Sequence, residues 1–426
     1  MKNMKGKLLT LVLFLALMLT ACGKDEVSSL VVENKSEETV LNGTSELVYG
    51  SEQIDPADWE KAKDALKNMG IGWNLGNTLE TVADAGGWFW RNHPYPKPSD
   101  FETYWGNPVT KPIVMERFHE AGFGFIRVPV SWAEKMDGNM NISKAWMDRV
   151  QEVVDYVLAN DMYCILNVHH DTGAGAWLKA DAEHYDEMSK KFIAIWTQVA
   201  ERFKDYDYHL IFEGFNEILD KNDDWNANKT TAADLEAVNR LNQDFVNTIR
   251  ASKSPNNKNR NLVCNTYAAG HSDNILKAFK MPTDSVCTGR LMAEIHMYSP
   301  YNFALNEEKV DGKAPDTYKY NLFLDEYKQQ IISEMQALKN RFTTKLKVPL
   351  IIGEWGATKK NNLEERCKHA QVMVYYSAFY GFACCQWMGM MTGNDRTTGT
   401  WTEPELRDII INTYRERTSV DAIPED

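Results

Sequence analysis

The feature that most constrains this chain is a repeated alternation. Eight short apolar runs of strand length are separated by longer stretches whose apolar residues recur three and four apart. The runs are GIGWNLG (70–76), FGFIRVPV (123–130), MYCILNVHH (162–170), HLIFEGFNE (209–217), RNLVCNTYA (260–268), RLMAEIHMY (290–298), VPLIIGEWG (348–356) and FACCQWMG (382–389). Stretches such as AWMDRVQEVVDYVLAN and DEMSKKFIAIWTQVAERF lie between them and carry helical spacing. A helix before each next strand implies parallel pairing. Eight such units predict a closed (β/α)8 barrel over residues 55–426. The alternative, an open doubly wound sheet, lacks a glycine-rich dinucleotide fingerprint after the first run. DPADWEKAKDALKNMG predicts a helix before the first strand, with Asp55 as cap and Pro56 at its first position.

The ends carry other signals. Lys2, Lys5 and Lys7 precede an apolar run that closes in LTAC at Cys22. This is an export signal, and its ending resembles that of bacterial lipoproteins, in which the Cys is lipidated. Residues 1–22 are therefore expected to be a signal, and 23–54, rich in Ser, Glu, Asn and Thr, a flexible tether. The expected localisation is exported, either anchored to the cell membrane by the lipid alone or extracellular. A formal net charge of -13 argues against nucleic acid as a partner. Cys164, Cys264, Cys287, Cys367, Cys384 and Cys385 have no zinc-site spacing and are expected to be buried free thiols. The run Asn222, Asp223, Asp224 lacks a full calcium-ligand pattern and reads as a solvated loop.

Barrel active sites lie at the C-terminal ends of the strands. Arg127, His169, His170, Asn216, Glu217, His296, Tyr298, Glu354 and Trp387 fall there, with Asn77 after the first run. Glu217 and Glu354 end separate apolar runs, and opposed acids are what glycoside hydrolysis requires. One donates a proton to the leaving oxygen while the other, ionised, attacks the anomeric carbon. Glu213 shares an alternation face with Glu217 but sits deeper, and is expected to be a structural partner of Arg127. The pair His169–His170 points to opposite faces, which favours sugar binding or packing over metal binding. Trp73, Trp132 and Trp355 suit core or platform equally. Trp88, Trp90, Trp105, Trp177 and Trp225 lie in loops and suit the cleft.

GWNLGNTLE, FIRVPVSW, ILNVHHD, FEGFNEI, EIHMYSPYNF, IIGEWGA and QWMG together resemble glycoside hydrolase family 5, the large cellulase family of retaining (β/α)8 enzymes. The likeness runs from about Met69 to Arg417. It implies that Glu217 is the acid/base and Glu354 the nucleophile. Arg127, His169, Asn216, His296, Tyr298 and Trp387 map to shared site positions. Many members carry Pro where this chain has Ile218, a difference read as loop variation. The expected activity is a retaining endo-β-1,4-glucanase acting on a β-linked polysaccharide, as a monomer, without cofactor or metal. Alternatives are the same mechanism on xyloglucan, xylan, mannan or mixed-linkage glucan, or a non-catalytic glycan-binding protein.

Overall fold

The computed structural model describes residues 54–83, 87–314, 316–387 and 389–419. The signal, most of the tether and Cys22 lie outside the described residues. Eight parallel strands close into a barrel in sequence order: β1 (Ile71–Asn74), β2 (Phe125–Val128), β3 (Tyr163–Asn167), β4 (Leu210–Glu213), β5 (Leu262–Asn265), β6 (Leu291–His296), β7 (Leu350–Trp355) and β8 (Ala383–Gln386). Pairing of Trp73 with Gln386 closes the ring. Outside it run α2 (Pro112–Ala121), α3 (Lys144–Leu158), α4 (Tyr185–Arg202), α5 (Ala232–Arg250), α6 (Asp273–Ala278), α7 (Asp325–Leu338), α8 (Leu363–Tyr380) and α9 (Pro404–Ser419), preceded by α1 (Ala62–Met69). No helix among the described residues is long and apolar enough to cross a membrane.

All eight predicted strands are present, each shorter than its apolar run. The difference matters at β4, which stops at Glu213. Beyond it Gly214 N–H still reaches Val263 O (3.0 Å), but Asn216 N–H crosses to Val168 O (2.9 Å). Glu217 therefore stands in a loop, and strand alternation does not place it on the face of Glu213. The helix predicted from Asp55 is also two pieces. Asp55 caps only a short turn, Pro56–Asp58, accepting from Ala57 N–H at 2.9 Å. Buried Trp59 interrupts, and α1 starts where Ala62 N–H bonds Gly289 O at 2.9 Å. Tertiary contact beneath the barrel has overridden the local capping signal.

The outer core lies between strands and helices and includes Trp73, Trp132 and Trp355, each 0–1% exposed, which settles them as core residues. A second apolar cluster fills the lower barrel lumen with Phe125, Tyr163, Ile165, Ile211, Val263, Met292 and Ile351, and α1 packs against it through Ala65, Leu66 and Met69. Cys164, Cys264, Cys384 and Cys385 are buried free thiols as expected, whereas Cys287 and Cys367 are half-buried, because they sit outside the strands.

Candidate active site

Two residues further along the same strands the lumen turns polar. Asn74, Arg127, Asn167, Glu213, Asn265 and Glu294 are all buried there. Arg127 organises this layer with all five of its N–H donors. Nε and one terminal nitrogen clasp Glu213 at 2.7 and 2.8 Å, as expected for its partner. The remaining donors reach Glu354 Oε1 at 2.8 Å, Asn74 Oδ1 at 3.0 Å and Asn216 Oδ1 at 3.0 Å. Fixing the Asn216 carbonyl leaves its NH2 group for an acceptor in the cleft.

Glu354, next to last in β7, stands at an irregularity. His296 pairs with Glu354 across a register shift, and Gly353 is the residue spanned. Such bulges re-aim side chains. Tyr298 hydroxyl donates to Glu354 Oε2 at 2.8 Å. Both carboxylate oxygens thus face donors. Burial pushes the Glu354 carboxyl up, while His296 and Arg127 oppose that shift. An arginine can only donate, so the bonded geometry is that of the carboxylate.

Across the cleft, His296 Nδ1 lies 2.7 Å from Glu217 Oε1 and 3.5 Å from Glu354 Oε2. Burial disfavours charge on His296, but Glu354, Glu294 and Glu217 together hold its pKa well above the usual histidine range. Facing atoms of Glu217, His296 and Glu354 all lie within 4.8 Å of one another. That spacing also suits a metal ion. The donors already aimed at both carboxylates, from Arg127, Tyr298 and His296, compete with one.

His169 approaches Glu354 Oε1 at 3.9 Å through Nε2. Asn167 Nδ2 donates to its Nδ1 at 3.1 Å, so Nε2 carries the proton toward the cleft. Burial first, then neighbouring His170, Arg127 and His296, push the His169 pKa well below the usual histidine range. Trp387 lies parallel to the His169 ring, 5.6 Å between centroids and 5° between planes. His170, held by burial to a pKa of about 4, meets His169 on one side and Trp105 on the other. Asn77 stands apart. Its side chain is exposed, and its backbone bonds to Glu80 and Asn107.

The geometry of two close carboxylates on a barrel rim matches a known family. The model of the cellulase family, glycosyl hydrolase family 5, matches residues 89–391. The chain belongs to glycosyl hydrolase family 5. It is 34% identical to Endoglucanase A of Clostridium longisporum over 85% of this chain and 68% of that one. It is 34% identical to Endoglucanase A of Ruminococcus albus over 82% and 92% respectively. Among solved structures, a broad-specificity endoglucanase of Ruminococcus champanellensis with bound cellotriose has a TM-score of 0.73 at 37% identity, covering 83% of this chain and 98% of that one. A mutant of a family 5 enzyme from Prevotella bryantii in complex with a xyloglucan tetradecasaccharide has a TM-score of 0.74 at 34% identity, covering 83% and 99%.

The family's barrel here carries groups that the reading of strand ends passed over. Asn74, Asn167, Asn265 and Glu294 belong to the polar layer yet lie inside apolar runs. The available signal was an acid or amide within a strand buried on both faces, a costly placement without partners. Asp223 and Asp224 find lysines: Asp223 pairs with Lys179, and Asp224 lies 3.1 Å from Lys229.

Proposed function

We propose that this protein is a retaining endo-β-1,4-glucanase in which Glu217 is the acid/base and Glu354 the nucleophile. The observation that carries the reading is their separation. Their nearest facing oxygens lie within 4.8 Å, which suits the ~5–5.5 Å carboxyl separation of retaining enzymes better than the ~6.5–9.5 Å of inverting ones. In the first step Glu354 attacks the anomeric carbon while Glu217 protonates the departing oxygen. In the second, Glu217 takes a proton from water, which displaces Glu354 with net retention. Arg127 and Tyr298 keep Glu354 an acceptor. The Asn216 NH2 group suits a sugar hydroxyl next to the reacting carbon. Trp387, half-buried with its ring beside His169, offers an apolar face to a pyranose ring. His169 and His170 suit sugar hydroxyls, and Asn77 lies at the outer rim.

The substrate reading rests on the related endoglucanases and on the neighbour holding cellotriose. Branched β-glucan is the second reading, favoured by the neighbour that holds a xyloglucan chain. Proton NMR of the first turnovers on cello-oligosaccharides tests the mechanism. β-Anomer product appearing first supports retention, and α-anomer first refutes it. A product profile across β-glucan, xyloglucan, xylan and mannan tests the substrate. The export and lipid anchor rest on residues 1–22 alone. Cys22→Ser is expected to release the protein from the membrane fraction with unchanged specific activity.

A further inference from the structure

Glu294 is buried inside the barrel on β6, two residues before His296, and the acid pair does not use it directly. Its Oε1 lies 2.9 Å from His296 Nε2. Both atoms are without a hydrogen-bond partner among the described residues, and their contact is a close ion-pair approach rather than an aligned hydrogen bond. The other oxygen, Oε2, is held by the Asn265 amide of β5. Space for the carboxylate comes from Gly353 of β7, where any Cβ would collide with Glu294 Oε1. Three strands thus shape a seat for one carboxylate behind one imidazole. On the imidazole's opposite edge, Nδ1 faces Glu217 at 2.7 Å.

We infer that Glu294 is a positioning residue that holds His296 as a doubly protonated imidazolium, so that Glu217 works beside a fixed positive charge. Both ring nitrogens face carboxylate oxygens. A neutral ring would present a lone pair to one of them, which is repulsive in so buried a place. The inference rests on Glu217 being the acid/base. Its chemical consequence is that both proton transfers at Glu217 take place beside a fixed positive charge, so the pH profile of the reaction depends on Glu294.

The other charged and titratable groups around His296 are Glu354 from β7, whose Oε2 lies 3.5 Å from Nδ1, Arg127 from β2 and His169 from β3. Tyr298 follows two residues on, and His271 touches the backbone, Nδ1 to His296 O at 3.2 Å. Arg127 lies 3.8 Å from Glu294 Oε1 and is occupied by Glu213 and Glu354. Glu213 also acts on this buried charge set. Arg127 and the neutral His169 cannot support a proton on His296. Glu294 is the only carboxylate facing Nε2 among the described residues.

The test is nitrogen-15 histidine NMR on the full chain, with the His296 signals assigned by their loss in His296→Gln. In the wild type both ring nitrogens are expected to be protonated from pH 6 to 8. A single protonated nitrogen at pH 7 overturns the inference without any variant. Glu294→Gln keeps the shape and a hydrogen bond but removes the charge. Its His296 is expected to titrate at lower pH, and the alkaline limb of kcat/KM on cello-oligosaccharides is expected to move up by half a pH unit or more. Glu294→Asp is expected to recover part of the wild-type profile. Identical titration and profile in wild type and Glu294→Gln, or Asp behaving as Gln does, contradicts the inference. Full activity of Glu217→Ala on β-1,4-glucan would instead refute the proposed roles of the acid pair, and the protonation state of His296 would stand as measured.

Discussion

The barrel lumen holds two regions that are equally dry and opposite in chemistry. Ile211 and Glu213 are neighbours on one face of β4, and both are fully buried. The same switch occurs from Phe125 to Arg127, from Ile165 to Asn167, from Val263 to Asn265 and from Met292 to Glu294. Below the switch, burial itself stabilises the fold through apolar transfer. Above it, every charge must be matched, because desolvating an ion costs several kcal/mol in practice. Apolar residues at the upper level would be safer for folding. The polar upper layer is where Arg127 holds Glu354 and the Asn216 carbonyl in place.

That contrast can be broken from either side. The largest effect is expected at Glu354→Ala, which removes the attacking group. Activity on natural glucan, measured per folded molecule, is expected to fall on the order of 10⁴-fold or more. Arg127→Lys comes next. A lysine cannot supply five planar donors, so Glu213, Asn74, Asn216 and Glu354 lose their common clasp. A loss in kcat of roughly 10²-fold, together with a lower Tm, is expected. Unchanged kinetics would mean that Arg127 serves folding alone.

In the lower lumen, Ile211→Ala is expected to cost about 2–5 kcal/mol of stability in urea unfolding. The kcat of the folded fraction should be unaltered. A strong loss of kcat there would dissolve the division between the two regions.

The smallest effect concerns acid. Burial lowers the pKa of His369 to about 4, and its Nε2 donates to Ser299 O at 2.9 Å. The unfolded chain binds a proton at this site below about pH 6.5, and the folded chain does so only near 4. This contribution is therefore fully present above pH 6.5 and is lost as pH falls through 4. It amounts to at most about 3 kcal/mol. Tm measured from pH 7 to 4 should fall less steeply in His369→Gln than in the wild type.

The sequence made the lower lumen and the outer core easy to read, since unbroken apolar runs are what strands buried on both faces look like. It also pointed to the residues at strand exits, where a polar group ends an apolar run. The upper lumen was harder. Asn74, Asn167, Asn265 and Glu294 are single polar residues within apolar runs, and their meaning depends on neighbours from other strands. Arg127 was legible as a site residue, but its five simultaneous bonds follow from barrel closure. The loop position of Glu217 was not legible, because pleat alternation continues through FEGFNEI in the sequence while the strand stops at Glu213.

The central claim is that Glu217 protonates and deprotonates while Glu354 bonds to the sugar. Azide rescue on an aryl β-cellobioside with a good leaving group tests it most directly. Such a substrate departs without protonation, so Glu217→Ala is expected to form the glycosyl-enzyme and stall. Added azide should restore turnover and give a β-glycosyl azide, because Glu354 has already inverted the anomeric carbon once. In Glu354→Ala, azide should give the α-product by direct attack. A β-azide from Glu213→Ala together with no rescue of Glu217→Ala, or an α-azide from Glu217→Ala, would contradict the assignment.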